Sequence, residues 1–255
     1  MKTRRSLHER LSNQKALIGF LQTLPNPTLS EMAGMCGYDF LMLDGEHGVF
    51  SENDYLHTLQ TLAGTGAFAL VRLAKHDPQA LGRYLDMGAD GIVVPHVSTA
   101  DEARTLARAM EYPPAGTRGL AVHRATRYGM DLATYMKAPR EGVCLFVIIE
   151  SALGVANVED IVAVDGVDGV FIGPFDLTAD LGCAGDFSQP AYAEAVARIE
   201  RAASARGKIV GTGPHPGYPL EALVARGHRL LLIDSDVSLI CDAMSAQVTK
   251  AKAVL

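Results

Sequence analysis

Residues 144–150 read Cys-Leu-Phe-Val-Ile-Ile-Glu, six apolar side chains followed by a carboxylate. A strand with one wet face alternates polar and apolar residues. An unbroken apolar run of this length instead marks a strand covered on both faces, as in parallel sheets. Seven other short runs share the pattern: Ala16–Leu21, Asp39–Leu43, Phe68–Arg72, Gly91–Pro95, Gly169–Ile172, Lys208–Thr212 and Arg229–Ile233. Helical patterns fill the intervals between them. Thr99 and Glu102 have capping-box spacing ahead of an apolar stripe at Ala103, Leu106, Ala107 and Met110. Asp77-Pro78 supplies an N-cap and a first-turn proline. Leu56, Leu59 and Ala63 form a further stripe, as do Tyr192, Val196, Ile199 and Ala203, and Gly88 and Gly207 stand where helices should stop. Eight strands alternating with helices predict an α/β fold, a (β/α)8 TIM barrel, with an open doubly wound sheet as the alternative. No linker or repeat divides the chain, so residues 1–255 are expected to form one barrel domain.

Composition narrows the function classes. The net charge of −6 and pI near 5.7 argue against a nucleic-acid binder, which needs a basic footprint. No apolar run approaches the roughly 18 residues of a membrane span. The start MKTRRSLHERLSNQK has the charges of a signal peptide but no apolar segment behind them. A cytoplasmic protein is therefore expected. Cys36, Cys144, Cys183 and Cys241 are widely spaced with no C-x-x-C pair, which argues against a disulfide framework or zinc knuckle.

Barrel enzymes carry their chemistry at the C-terminal ends of the strands, and there the polar residues gather. Strand two ends in Asp44-Gly45-Glu46-His47, strand three in Arg72 and strand four in Pro95-His96. Strand five ends in Glu150, and strand six in Gly173-Pro174-Phe175-Asp176. Thr212 and His215 follow strand seven, and Asp234 follows strand eight. Glu150 and Asp176 are acceptor-only groups on adjacent strands, a set suited to a hard divalent ion. Glu150 shares strand parity with Phe146 and Ile148, so it faces an apolar interior where a bare carboxylate is costly. An ion pair with an arginine is the alternative. His47 has the chemistry of a general base, with Asp44 or Glu46 to orient it. Arg72 offers a planar fork for a carboxylate or enolate oxygen, or a partner for Asp44 or Glu46.

Other features are less informative. Gly211-x-Gly213 lacks dinucleotide-loop spacing, and no phosphate-loop lysine motif occurs. His123, His215 and His228 lack metal-ligand spacing and read as structural. Lys75 is the only lysine near the rim, and Lys208 opens a strand at the opposite end, so a Schiff-base mechanism has no good candidate. The segment Tyr112–Gly142 is long for a connection and holds Arg118, His123, Arg124 and Arg127. Such lengths suggest a lid or binding loop, with a solvated surface excursion as the alternative.

Taken together, Asp-Gly-Glu-His at 44–47, Tyr-Pro-Pro-Ala-Gly-Thr-Arg-Gly at 112–119 and Gly-Val-Asp-Gly-Val-Phe-Ile-Gly-Pro-Phe-Asp-Leu at 166–177 resemble the 4-hydroxy-2-oxoheptanedioate aldolase family. These are metal-dependent pyruvate aldolases of the phosphoenolpyruvate/pyruvate barrel superfamily, and the likeness runs from about Gly19 to the last strand. The resemblance implies a barrel with a domain-swapped C-terminal helix, assembled as a homo-hexamer (a trimer of dimers). It implies Glu150 and Asp176 as ligands of Mg²⁺, Mn²⁺ or Co²⁺, and His47 as base with Asp44 behind it. Arg72 would hold the pyruvate keto oxygen, and Asp86 would approach the site from a neighbouring subunit. Backbone amides around Gly173 and Asp176 would bind the pyruvate carboxylate, with Pro174, Phe175 and Ile148 also in the substrate site. The expected substrates are a 2-oxo acid and an aldehyde, in a catabolic setting such as aromatic-compound breakdown. Two positions depart from the family. Ile148 replaces a usual glutamine, and Phe175 stands where a small residue is common, which implies an altered aldehyde site. The acceptor could be succinic semialdehyde, a small hydroxyaldehyde or an aromatic aldehyde. Alternatives for the whole protein are a 2-oxo acid decarboxylase or acyl-CoA lyase of the same superfamily, or a non-catalytic member whose site has drifted.

Overall fold

The computed structural model describes residues 6–255, and the charged start at residues 1–5 lies outside them. Eight parallel strands close into a barrel in sequence order. They are β1 (Leu17–Gln22), β2 (Phe40–Asp44), β3 (Phe68–Arg72), β4 (Gly91–Val94), β5 (Cys144–Ile149), β6 (Gly169–Ile172), β7 (Ile209–Thr212) and β8 (Leu230–Ser235). β1 pairs with both β2 and β8, which closes the ring. All eight expected runs are strands, displaced by at most two residues at an end. The four cysteines are unpaired, and among the described residues no helix is long and apolar enough to cross a membrane.

Side-chain alternation sorts each strand into two cores. Leu41, Leu43, Val71, Ile92, Val147 and Ile149 face outward into the layer shared with the helices. Phe40, Met42, Phe68, Leu70, Phe146 and Phe171 face inward and fill the barrel. Leu7 and Leu11, from the short helix Leu7–Asn13, join this inner cluster. The same parity, carried one step further, points Asp44, Arg72 and Glu150 inward above the apolar stack. The barrel is therefore a packed plug with a polar top, not a channel.

The helices begin where their caps dictate. Thr99 and Glu102 form a reciprocal capping box at Ala100–Ala109. Asp77 accepts from the Gln79 and Ala80 amides ahead of Pro78. Gly88 and Gly207 adopt positive φ at helix ends. The segment Tyr112–Gly142 is not a lid over its own barrel mouth. It connects a helix back to β5 and so lies at the opposite end of the barrel. There Arg124 donates to the carbonyls of Met87 and Leu59, at the C-terminal ends of two helices, where a cation complements the helix dipole. The last helix, Asp236–Lys252, behaves differently from the others. Asp236 is buried and accepts from the Thr23 and Leu24 amides, which fixes the start of the helix. Beyond it the helix is exposed almost throughout, Met244 and Val248 included.

The inner core makes one prediction. Phe146 is fully buried and meets the Phe171 ring edge-on at 5.6 Å. Phe146→Ala should destabilise the fold by about 4 kcal/mol, read as a lower urea midpoint by circular dichroism, since the chain has no tryptophan.

Candidate active site

At the C-terminal end of the strands lies a cavity of about 580 Å³. His47, Arg72, Glu150, Asp176 and Asp234 all line it, together with Gly173, Pro174, Phe175 and Ile148. Sequence reasoning thus placed most of the site on one rim, as the strand-end rule requires.

The centre is built from in-register neighbours. Asp44 and Arg72 are paired residues of β2 and β3. Arg72 donates from Nε to Asp44 Oδ1 at 2.9 Å and from Nη2 to Oδ2 at 2.7 Å, a bidentate pair. Its Nη1 lies 3.1 Å from Glu46 Oε2. Asp44 is only 1% exposed. Burial alone would raise its carboxyl pKa, but the Arg72 guanidinium and the amide N–H groups of His47 and Glu46 hold it below the usual aspartate value. Gly45 is required between them, because a Cβ there would press on the Arg72 carbonyl oxygen and the Tyr55 hydroxyl.

His47 stands at the cavity mouth with its side chain 66% exposed. The expected Asp44–His47 dyad takes a different form. Among the described residues Asp44 meets the His47 backbone amide, not its ring, because both carboxylate oxygens are held by Arg72. The carboxylate nearest the imidazole is Glu46, at 3.9 Å, too far for a direct hydrogen bond.

Glu150 is 4% exposed. Its pKa is raised, first by burial and further by the negative charges of Glu46 and Asp176, with partial relief from His96. One oxygen, Oε1, accepts from the His96 amide at 2.6 Å and lies 3.1 Å from His96 Nδ1. The other, Oε2, lies against Gly173, where any Cβ would collide with it. His96 is the residue that sequence reasoning passed over as a site member. Its Nε2 is 3.1 Å from Glu46 Oε1, so its ring bridges Glu46 and Glu150. Its φ of 56° lies in the left-handed region, a conformation that costs a non-glycine residue roughly 1–3 kcal/mol. Only its place after β4 could have flagged it.

Asp86 does not reach the cavity of its own chain. It ends the helix Pro78–Asp86 and accepts from the buried Arg118 at 2.6 Å. His215 is structural, as expected, but not idle. It accepts from the Gly217 amide at Nδ1, so Nε2 carries the proton toward the Tyr192 hydroxyl, 2.9 Å away. Burial pushes its pKa down to about 4. Among the described residues no lysine lines the cavity, and Lys208 donates to the Val167 carbonyl at the far end of the barrel.

The comparisons with known proteins give the family. The profile of the HpcH/HpaI aldolase/citrate lyase family matches residues 18–231. The chain belongs to the HpcH/HpaI aldolase/citrate lyase family. It is accordingly a carbon–carbon lyase. It is 36% identical to a hydroxypyruvate/pyruvate aldolase of Delftia acidovorans, over 95% of this chain and 91% of that one. It is 38% identical to a 5-keto-4-deoxy-D-glucarate aldolase of Escherichia coli, over 79% of this chain and 78% of that one. A family member from Burkholderia cenocepacia superposes with a TM-score of 0.90 at 31% identity, covering 96% of this chain and 98% of the other.

The Asp44–Arg72 pair yields a prediction for stability. Asp44→Asn leaves a buried guanidinium with Glu46 alone and should cost about 3 kcal/mol at neutral pH. A carboxyl held below its ordinary value contributes fully above that value and loses its contribution as pH falls through the lowered one. The gap between wild type and Asp44→Asn, measured by urea denaturation, should therefore persist at pH 5. It should narrow only below roughly pH 4.

Proposed function

We propose that this family member is a divalent-metal-dependent pyruvate aldolase, which reversibly cleaves a 4-hydroxy-2-oxo acid to pyruvate and an aldehyde. One observation carries the proposal: two carboxylates, Glu150 and Asp176, line one cavity at the strand ends, and the charge of Asp176 helps to raise the Glu150 pKa. Glu150 keeps one oxygen tied to His96 and the other under a glycine. The donor set is all oxygen, which fits Mg²⁺, Mn²⁺ or Co²⁺ and leaves most positions to substrate and water. Among the described residues no group of three or more His, Cys, Asp or Glu side chains is placed to hold a metal, here or elsewhere, so this pair would depend on substrate and water for the other positions. When bound, the cation would polarise the 2-oxo group of the substrate and serve as an electron sink.

The side chains account for the remaining steps. In cleavage, His47 takes the proton of the C4 hydroxyl at the open mouth of the cavity. The C3–C4 bond breaks, the aldehyde departs, and its electron pair passes to C3 and the C2 oxygen as pyruvate enolate. Arg72 presents fixed positive charge where that negative charge develops, and its position is held by Asp44 and Glu46. A proton delivered to C3 completes the pyruvate methyl. The helix Pro174–Asp180 begins without a side-chain cap, and the Phe175 and Asp176 amides of its first turn would face the substrate carboxylate.

The proposal extends to assembly. A homo-hexamer with exchanged C-terminal helices would cover the bare helix Asp236–Lys252 and bring Asp86 toward a neighbouring cavity. The pyruvate half of the reaction would be shared with the 4-hydroxy-2-oxoheptanedioate aldolases that the sequence resembles.

Proton NMR of pyruvate in deuterated water tests the chemistry without an aldehyde. With Mg²⁺ the methyl protons should exchange, exchange should stop on adding EDTA, and Glu150→Ala should abolish it. Exchange that survives full chelation would return the mechanism to a lysine.

A further inference from the structure

The pyruvate-aldolase reading leaves the acceptor open, and the outer wall of the cavity restricts it. Phe175 is 63% exposed yet lines the cavity. It is not loose. Its ring meets Phe187 edge-on, centroids 5.3 Å apart at 82°. Phe187 in turn rests on His215 at 4.4 Å and on Tyr192 at 5.6 Å. His215 is fixed at both ring nitrogens and is neutral at pH 7, so the support behind Phe175 carries no charge. An aromatic ring held rigidly at a cavity edge offers a large apolar contact at little entropic cost.

The charges point the same way. Among the described residues Arg72 is the one permanent cation lining the cavity, and both Asp44 and Glu46 already meet it. Three carboxylates, Glu150, Asp176 and Asp234, line the same space. An aldehyde bearing its own carboxylate would find no free cation and would lose hydration near Asp234. Leu21, Met42, Ile148 and Leu232 line the same cavity. Ile148 adds an apolar face beside Glu150.

We propose, building on the aldolase reading, that the acceptor is an uncharged aldehyde with a flat apolar body, and that Phe175 selects it by packing against that body. In the synthetic direction C3 of the pyruvate enolate bonds to the aldehyde carbon. The carbonyl oxygen takes the proton held by His47 and becomes the C4 hydroxyl, with no net redox change. Phe187 is a positioning residue that acts through Phe175.

Steady-state aldol addition to pyruvate with Mg²⁺ tests the inference, using benzaldehyde, glycolaldehyde and succinic semialdehyde as probes. Benzaldehyde should exceed succinic semialdehyde in kcat/KM by at least about tenfold. Phe175→Ala should lower the benzaldehyde-to-glycolaldehyde ratio of kcat/KM by roughly three- to tenfold. Phe187→Leu should shift the ratio in the same direction by less. Using the ratio removes the intrinsic reactivity of each aldehyde. Equal or better turnover of succinic semialdehyde would overturn the proposal, as would an unchanged ratio in Phe175→Ala. Pyruvate methyl exchange run on the same samples separates the two failures. Exchange with the wrong acceptor preference sinks only the selectivity, whereas no exchange with any divalent cation sinks the aldolase reading and the acceptor together.

Discussion

The Asp44 carboxylate receives four hydrogen bonds, two from Arg72 and one each from the amides of Glu46 and His47. That arrangement constrains everything above the barrel core. It holds the guanidinium at the centre of the cavity, folds the Asp-Gly-Glu-His turn so that Glu46 reaches Arg72 from the other side, and puts His47 at the mouth. The pair lies across two in-register strands, so its geometry is as rigid as the sheet itself. Most of the positive charge in the cavity is balanced by it. Among the described residues Glu150 then has only the His96 imidazole paired with it, and no arginine or lysine pairs with Asp176; the case for a metal follows from that imbalance.

The barrel interior explains why the balance falls at one level. Inward positions of each strand are apolar until the last, where the same alternation delivers Asp44, Arg72 and Glu150. Below that level the packed residues are apolar. Above it the cavity opens. The glycines at the boundary matter because Gly45 and Gly173 let the backbone approach Arg72 and Glu150 more closely than any side chain would allow. His96 adds a strained backbone whose amide is committed to Glu150. Such strain is tolerated where a rigid scaffold over-determines it.

The order of strands was legible because continuous apolar runs of four to seven residues have few other uses in a chain with clear caps between them. Strand ends were readable to within two residues, and with them the rim positions of Arg72, Glu150 and Asp176. What was not legible depends on pairings across the barrel. Asp44 and Glu46 were legible as partners for Arg72, but nothing local to Asp44 says that Arg72 will take both of its oxygens and leave the His47 ring without it. Nothing local to His96 announces a positive φ. The arginines of the 112–142 segment looked like a binding loop by length and charge, yet the carbonyl partners of Arg124 at two helix ends are distant in sequence. Asp86 finds Arg118 for the same reason. The exposed course of the final helix is likewise invisible in its sequence, whose apolar residues would suit a partner barrel as well as its own.

Electron paramagnetic resonance titration with Mn²⁺ addresses the uncompensated carboxylate pair directly, independent of turnover. The wild-type protein should bind one Mn²⁺ per chain, Glu150→Gln should lose that binding, and Arg72→Lys should keep it. Binding of Mn²⁺ by Glu150→Gln as tight as that of the wild type would contradict the assignment of Glu150 and Asp176 as the metal site.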